Sequence, residues 1–209
     1  MGFLILKIFN RSEYERLLGD FLTGARLAHV YRVAETAVSL SKRWGVSEED
    51  AYLAGLLHDV AKKLTPELLE KQGVYVSPES VALYAAYPKV WHAFAAPLVL
   101  QAKFPTLPES VLSSVQWHTT GTMDMSVLSQ IVYVADFIEP GREAHGVEFV
   151  RELAFESLDE ATFGLATCSL LFLLKHAHVI HPQTLLCLDY YRGLLSVGKA
   201  RGIAAKLVA

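Results

Sequence analysis

Apolar residues recur three and four positions apart along nearly the whole of this 209-residue chain, the spacing that turns one face of an α-helix toward a core. No period-2 run flanked by hairpin turns interrupts them, so the pattern predicts an all-α fold. Start signals punctuate it: Ser47 with Asp50 three residues on, Thr65-Pro66-Glu67, Ser77-Pro78-Glu79, and Ser126 ahead of "VLSQIVYVADFI". These place a capping hydroxyl before the first turn, in most cases with proline or an acid following. Gly45, Gly73, Pro105, Gly121 and Pro140-Gly141 supply the stops. The helices so predicted span 11–22, 25–44, 48–60, 66–72, 78–86, 89–103, 108–118, 126–138, 147–154, 158–178 and 183–198. Neither a low-complexity linker nor an internal repeat divides them, so one domain over residues 1–209 is expected.

Composition adds little to that picture. About half the residues are apolar, enough for a substantial core, and a formal net charge of -3 provides no general basic field for nucleic acid. Small-molecule or protein partners are favoured. "MGFLILKIFN" is too short to span a bilayer and lacks a cleavage site, so it reads as an ordinary cytosolic start. "LLFLLKHAHVI" is interrupted by Lys175, His176 and His178 and suits a buried helix better than a membrane span. Cys168 and Cys187, without a CxxC spacing, read as reduced core thiols. "FLILKIF" and "IAAKLV" are candidates either for homodimer formation or for packing on the core.

Polar residues that could ligate a metal break the apolar pattern at few places: His29, His58, Asp59, His92, His118 and Asp136. Asp136, in "IVYVADFIEP", needs a cation or several donors if it is ionised among apolar neighbours. His58-Asp59, in "LAGLLHDVAKK", is an adjacent pair. Neighbouring helical residues point about 100° apart, so both can reach one ion only if other helices complete the set. Imidazole and carboxylate without thiolate suit iron, manganese or zinc, and such a set leaves positions open for water or substrate.

In order and context, His29, His58-Asp59 and Asp136 resemble the H…HD…D signature of the HD superfamily of metal-dependent phosphohydrolases, with His92 and His118 similar to the extra histidines of its two-metal members. "LLHDVAK", "YPKVWHA", "WHTTG" and "IVYVADFIEPGR" resemble segments of the YqeK-type group, symmetrical hydrolases of diadenosine tetraphosphate. The resemblance covers roughly residues 20 to 195 and implies a single HD-type helical bundle around a central metal site. It implies one metal on His29, His58, Asp59 and Asp136, with Asp59 bridging to a second on His92 and His118. It implies iron in that binuclear centre, with manganese or another divalent ion as a substitute. Central cleavage of diadenosine tetraphosphate to two ADP in the cytoplasm is the implied activity.

Other residues enter as candidates for substrate. Lys62, four residues after His58, is expected to share its helical face, and Arg26 lies three residues before His29 on the same face. Arg142 follows Pro140-Gly141 at a loop mouth, and its promotion to a phosphate contact rests on the resemblance. Thr119 and Thr120 follow His118 where its helix ends, and Glu139 is a candidate acceptor for a ligating histidine. Asp59 and Lys62 are the expected catalytic residues. His145, His176, His178 and His181 read as surface or packing residues, and Trp91 and Trp117 as core. With neither a GxSxG elbow nor a Walker A loop, acyl transfer and P-loop chemistry lose their usual support. A nucleotidase or phosphodiesterase on another nucleotide, a non-catalytic nucleotide-binding module and an iron oxygenase stay open as alternatives.

Overall fold

A computed structural model describes residues 11–208, which form twelve α-helices and, among the described residues, no strand. The segment "FLILKIF" lies outside the described residues. The helices are α1 (Arg11–Phe21), α2 (Gly24–Trp44), α3 (Glu48–Leu57), α4 (Pro66–Lys71), α5 (Pro78–Ala86) and α6 (Trp91–Lys103). Then follow α7 (Glu109–Trp117), α8 (Val127–Ile138), α9 (Val147–Glu156), α10 (Leu158–Lys175), α11 (Pro182–Leu194) and α12 (Val197–Val208). No helix among the described residues is long and apolar enough to cross a membrane.

The hydroxyls expected to open helices do so. Ser47, Thr65, Ser77 and Ser126 accept the backbone N–H of Asp50, Leu68, Ser80 and Ser129, each satisfying a donor that a helix start leaves without a partner. At the centre lies α8, whose residues 128–135 are all buried; α2, α7 and α10 pack around it, and α3 fits between α2 and α7. This arrangement brings the candidate ligands together from five places in the sequence.

Gly55 permits the closest of these approaches. A β-carbon built on it would lie 2.8 Å from the Ala34 Cα, so α2 and α3 meet nearly backbone to backbone. Gly121 has a different reason to be glycine: its φ of +62° is left-handed, and a β-carbon there would lie 2.4 Å from the Cys187 Sγ. Cys168 and Cys187 are free, buried thiols, as expected.

Three boundaries depart from the sequence reading by three residues or more. The helix expected over 48–60 ends at Leu57, and the chain tightens through Val60 N–H to Leu57 O, Lys62 N–H to Asp59 O and Leu64 N–H to Ala61 O. The one expected over 158–178 ends at Lys175, because Ala177 takes a φ of +50°. The one expected over 183–198 breaks at Leu195, and Ser196 begins α12 by accepting the Lys199 N–H on its hydroxyl. Ile203 and Leu207 of α12 are buried, so "IAAKLV" packs on the chain's own core.

Candidate metal centre

Each candidate ligand stands at the end or on the inner face of a core helix, and most present the same atom. His58 caps α3 and donates Nδ1–H to the Gly55 carbonyl at 2.7 Å; His118 caps α7 and donates to the Val115 carbonyl at 2.6 Å. Because a carbonyl can only accept, both rings carry the proton on Nδ1 and turn the Nε2 lone pair inward. On α2, the His29 Nδ1 lies 3.1 Å from the Glu139 Oε1, which fixes the same tautomer. Glu139 thus takes the supporting role expected of it.

Around these rings the acceptors crowd. The His29 Nε2 is 3.0 Å from the Asp136 Oδ1; the His58 Nε2 is 3.7 Å from both that atom and the Asp59 Oδ2. The Asp59 Oδ1 is 3.2 Å from the His92 Nε2 and 3.6 Å from the His118 Nε2, and the two ring nitrogens are 3.1 Å apart. The buried His29 Nε2, His58 Nε2 and Asp59 Oδ1 find no hydrogen-bond partner. Lone pairs facing lone pairs in a buried space repel unless a cation stands among them. Three overlapping groups of ligand atoms could hold one: His29, His58 and Asp59; His58, His118 and Asp136; and Asp59, His92 and His118. The donor set fits a divalent metal.

Electrostatics point the same way. Burial pushes the His58 and His92 imidazoles down to about 4, so both are neutral ligands at pH 7. For Asp59, burial works to raise the carboxyl, but the His58, His118 and His92 rings around it and the Lys62 ammonium outweigh it and hold it far below the usual carboxylate range. Asp136 is likewise ionised: its desolvation is overcome by His29, His58, His118 and Arg142. Glu139, opposed by burial, is lowered to about 2 mainly by Arg32.

Acid sensitivity follows from the two histidines. Their folded pKa of about 4 lies below the ordinary 6.5, so the unfolded chain takes up protons first. In the presence of a chelator, Tm is therefore expected to fall as pH drops from about 6.5 toward about 4, and to fall further below that as Asp59 and Asp136 lose their pairing. A Tm that stayed flat through that window would contradict neutral, buried imidazoles.

The remaining candidates are placed as follows. Lys62 Nζ lies 3.2 Å from the Asp59 Oδ1 and donates to the His92 Nε2 at 2.9 Å. It gets there through the tight turn after α3 and not by sharing a helical face with His58. Arg26 donates to the Asp59 Oδ2 and Arg142 to the Asp136 Oδ1, each at 2.8 Å. The Thr119 hydroxyl lies 2.9 Å from the His118 Nε2 and 3.2 Å from the His92 Nε2. Thr120 departs from the expectation: it is fully buried and its hydroxyl donates to the Gly121 carbonyl, so the turn aims Thr119 alone at the centre.

Beside the cluster opens a cavity of about 780 Å³, reached by Lys62, Thr119 and Arg142 and walled by Phe137, Phe172 and His181. Among the described residues no carboxylate lines it, although the chain as a whole is acidic. His145, His176 and His178 also line it. The turn at Ala177 stacks His176 on His178 with centroids 5.8 Å apart, an outcome that helical spacing could not indicate. Trp91 is core, as expected, with its indole N–H on the Leu64 carbonyl. Sequence reasoning missed Arg32, which donates to both Glu139 oxygens, at 2.5 and 3.1 Å. Its local signal was only its place three residues after His29.

Comparison with known proteins agrees with this geometry. The HD domain family model matches residues 26–141. The symmetrical bis(5'-nucleosyl)-tetraphosphatase of Bacillus subtilis is 32% identical over 181 residues, covering 87% of this chain and 97% of that protein. The protein of the same name from Halalkalibacterium halodurans is 33% identical, with 84% and 94% covered. A crystal structure from Clostridium acetobutylicum, described as a predicted HD superfamily hydrolase involved in NAD metabolism, superposes with a TM-score of 0.77 at 30% identity, over 88% of this chain and 97% of that one. An inward-facing His and Asp cluster on a helical scaffold, matched by family model and by whole-length relatives, places the chain in the HD-domain family.

Proposed function

We propose that this protein hydrolyses diadenosine tetraphosphate symmetrically, water adding to one of the two central phosphorus atoms and the bridging oxygen leaving with the other half, to give two ADP. The observation that carries the reading is the buried Asp59 carboxylate shared between two ligand triads beside a cavity lined by cations and no acid. The names of the whole-length relatives support it. His29, His58, Asp59 and Asp136 would hold one metal, and His92 and His118, with Asp59 between, the second; their nitrogen and oxygen donors suit iron, with manganese as a substitute. Bound there, divalent cations supply a water of lowered pKa and positive charge for phosphate oxygens.

The side chains then divide the remaining work. Arg26, Lys62 and Arg142 are 38, 32 and 40% exposed at their side chains, each anchored on a ligand carboxylate with the rest open to solvent or cavity. A phosphate chain entering the cluster meets Lys62 on the Asp59 side and Arg142 on the Asp136 side, where charge-assisted bonds orient it. The Thr119 hydroxyl, between His92 and His118, is placed to donate to a phosphate oxygen. Phe137 and Phe172 offer apolar surface for a nucleoside. Cys168 also lines the cavity, but burial pushes its thiol up to about 11, so it offers no thiolate at neutral pH.

Metal removal tests the centre directly. Chelation is expected to abolish turnover, and ferrous or manganous ion under anaerobic conditions to restore it, with elemental analysis giving two metals per chain. Full activity at one metal per chain would rule out the shared-carboxylate arrangement, and full activity in chelator would rule out the metal reading altogether.

A further inference from the structure

Arg142 hangs from the turn that follows α8, and the carbonyls of that turn converge on a single side chain from another helix. Arg151, on α9, donates from Nε to the Ile138 carbonyl at 2.8 Å and from Nη2 to the carbonyls of Glu139 and Arg142 at 2.9 and 3.1 Å. Its Nη1 pairs with Glu148. Between the three carbonyls lie Pro140 and Gly141, and the Arg142 N–H closes back on the Glu139 carbonyl at 2.9 Å. One guanidinium therefore clamps the turn at its beginning and its end, and in doing so satisfies the Ile138 carbonyl that the end of α8 leaves without an intrahelical partner. Only arginine offers a rigid fork of donors wide enough for this; a lysine ammonium is one point on a flexible stem.

The clamped end matters because of what Arg142 does from it. Its Nη2 and Nε reach the Asp136 Oδ1 and the Asp136 carbonyl at 2.8 and 3.1 Å, while the same side chain lines the cavity. Both contacts require the Arg142 backbone to stay at a fixed height above the last turn of α8. We infer that Arg151 is a positioning residue for the Arg142 phosphate contact, acting through the turn of residues 138–142 and not by touching substrate. This rests on the reading of Arg142 given under the proposed function.

A double-mutant cycle on the full-length, metal-loaded protein tests it, reading both kcat/KM on diadenosine tetraphosphate and the dissociation constant of ADP by calorimetry. Arg142→Ala is expected to weaken both by roughly 10- to 100-fold, the scale of a charge-assisted contact. Arg151→Gln should weaken both by about 5- to 20-fold in the wild-type background and by less than about 2-fold in Arg142→Ala, because the two act as one unit. Metal content should not change, and Arg151→Lys should recover part of the loss and carry the cycle if the glutamine variant folds poorly. A variant at Arg151 that lowers Tm alone, or whose full effect persists in the Arg142→Ala background, would reduce Arg151 to a helix cap and overturn the inference. Wild-type affinity and turnover in Arg142→Ala would instead overturn the placement of Arg142, and the inference with it.

Discussion

Replacing Asp59 with alanine is expected to strip metal from both halves of the centre and to lower turnover by about 10³-fold or more. No other side chain stands in two of the triads with one oxygen toward His92 and His118 and the other toward His58. His58 and His118 also stand in two of the three groups, but each offers Nε2 alone, its Nδ1 being held by a carbonyl, whereas Asp59 offers two oxygens. The thermal signature should be as clear as the kinetic one. A metal that binds only the folded chain at a hundred times its Kd adds about 2.7 kcal/mol of stability, or roughly 5–10 °C in Tm for a chain of this size. Wild-type protein should show that gain when manganese is added, and Asp59→Ala should not. In chelator the two should melt within a few degrees of one another, because the partners Arg26 and Lys62 are part-exposed and water can take over from the lost carboxylate. An Asp59→Ala protein that kept stoichiometric metal and the full thermal gain would contradict the centre described here.

Gly55→Ala is the second large effect, and it arises from backbone contact and not from charge. The new methyl would meet the Ala34 Cα at 2.8 Å, its N at 3.1 Å and the Val33 carbonyl at 3.2 Å. All three are backbone atoms, so no side chain can swing aside and α2 must separate from α3. Overpacking of this kind costs about 1–3 kcal/mol, a fall in Tm of roughly 2–4 °C for each kcal/mol. The same displacement moves His29 on α2 away from His58 and Asp59, and it disturbs the Gly55 carbonyl that holds the His58 Nδ1. Metal affinity should therefore fall by about 10- to 100-fold, as when the support of a ligating histidine is lost. Calorimetric titration with manganese, beside a melt in chelator, separates the two components. A Gly55→Ala protein as stable as wild type and equal in affinity would show that the close approach of α2 and α3 is unimportant.

How much of this was legible in the sequence varies with the range of the interaction. The starts of α3, α4, α5 and α8 were, because Ser47, Thr65, Ser77 and Ser126 act on N–H groups three residues away. The residues that gather into the His and Asp cluster were, because a histidine, an adjacent aspartate and a lone carboxylate in "IVYVADFI" have few bland explanations in a core. Where α3 stops was not. Apolar spacing runs on smoothly past Leu57, and what shapes the end is the His58 ring on the Gly55 carbonyl and the tightened turns after it. Thr119 and Thr120 looked equivalent in "WHTTG", yet one turn of backbone sends the first hydroxyl to the centre and the second to the Gly121 carbonyl. Arg32 and Arg151 were invisible for a different reason: their partners lie 107 and 9 to 13 residues away, across a turn whose shape no local pattern encodes. The cavity belongs to the same class, since its wall joins residues as far apart as Lys62 and Thr184 that meet only in the fold.

The central claim is that this metal centre cuts a dinucleoside tetraphosphate at its middle, and separation of the products tests it most directly. Protein loaded anaerobically with ferrous iron and given diadenosine tetraphosphate should yield ADP alone, with none formed in chelator or by Asp59→Ala. AMP and ATP in equal amounts would keep a phosphohydrolase but contradict symmetrical cleavage, and intact substrate over protein with both metals demonstrably bound would contradict the assignment of substrate.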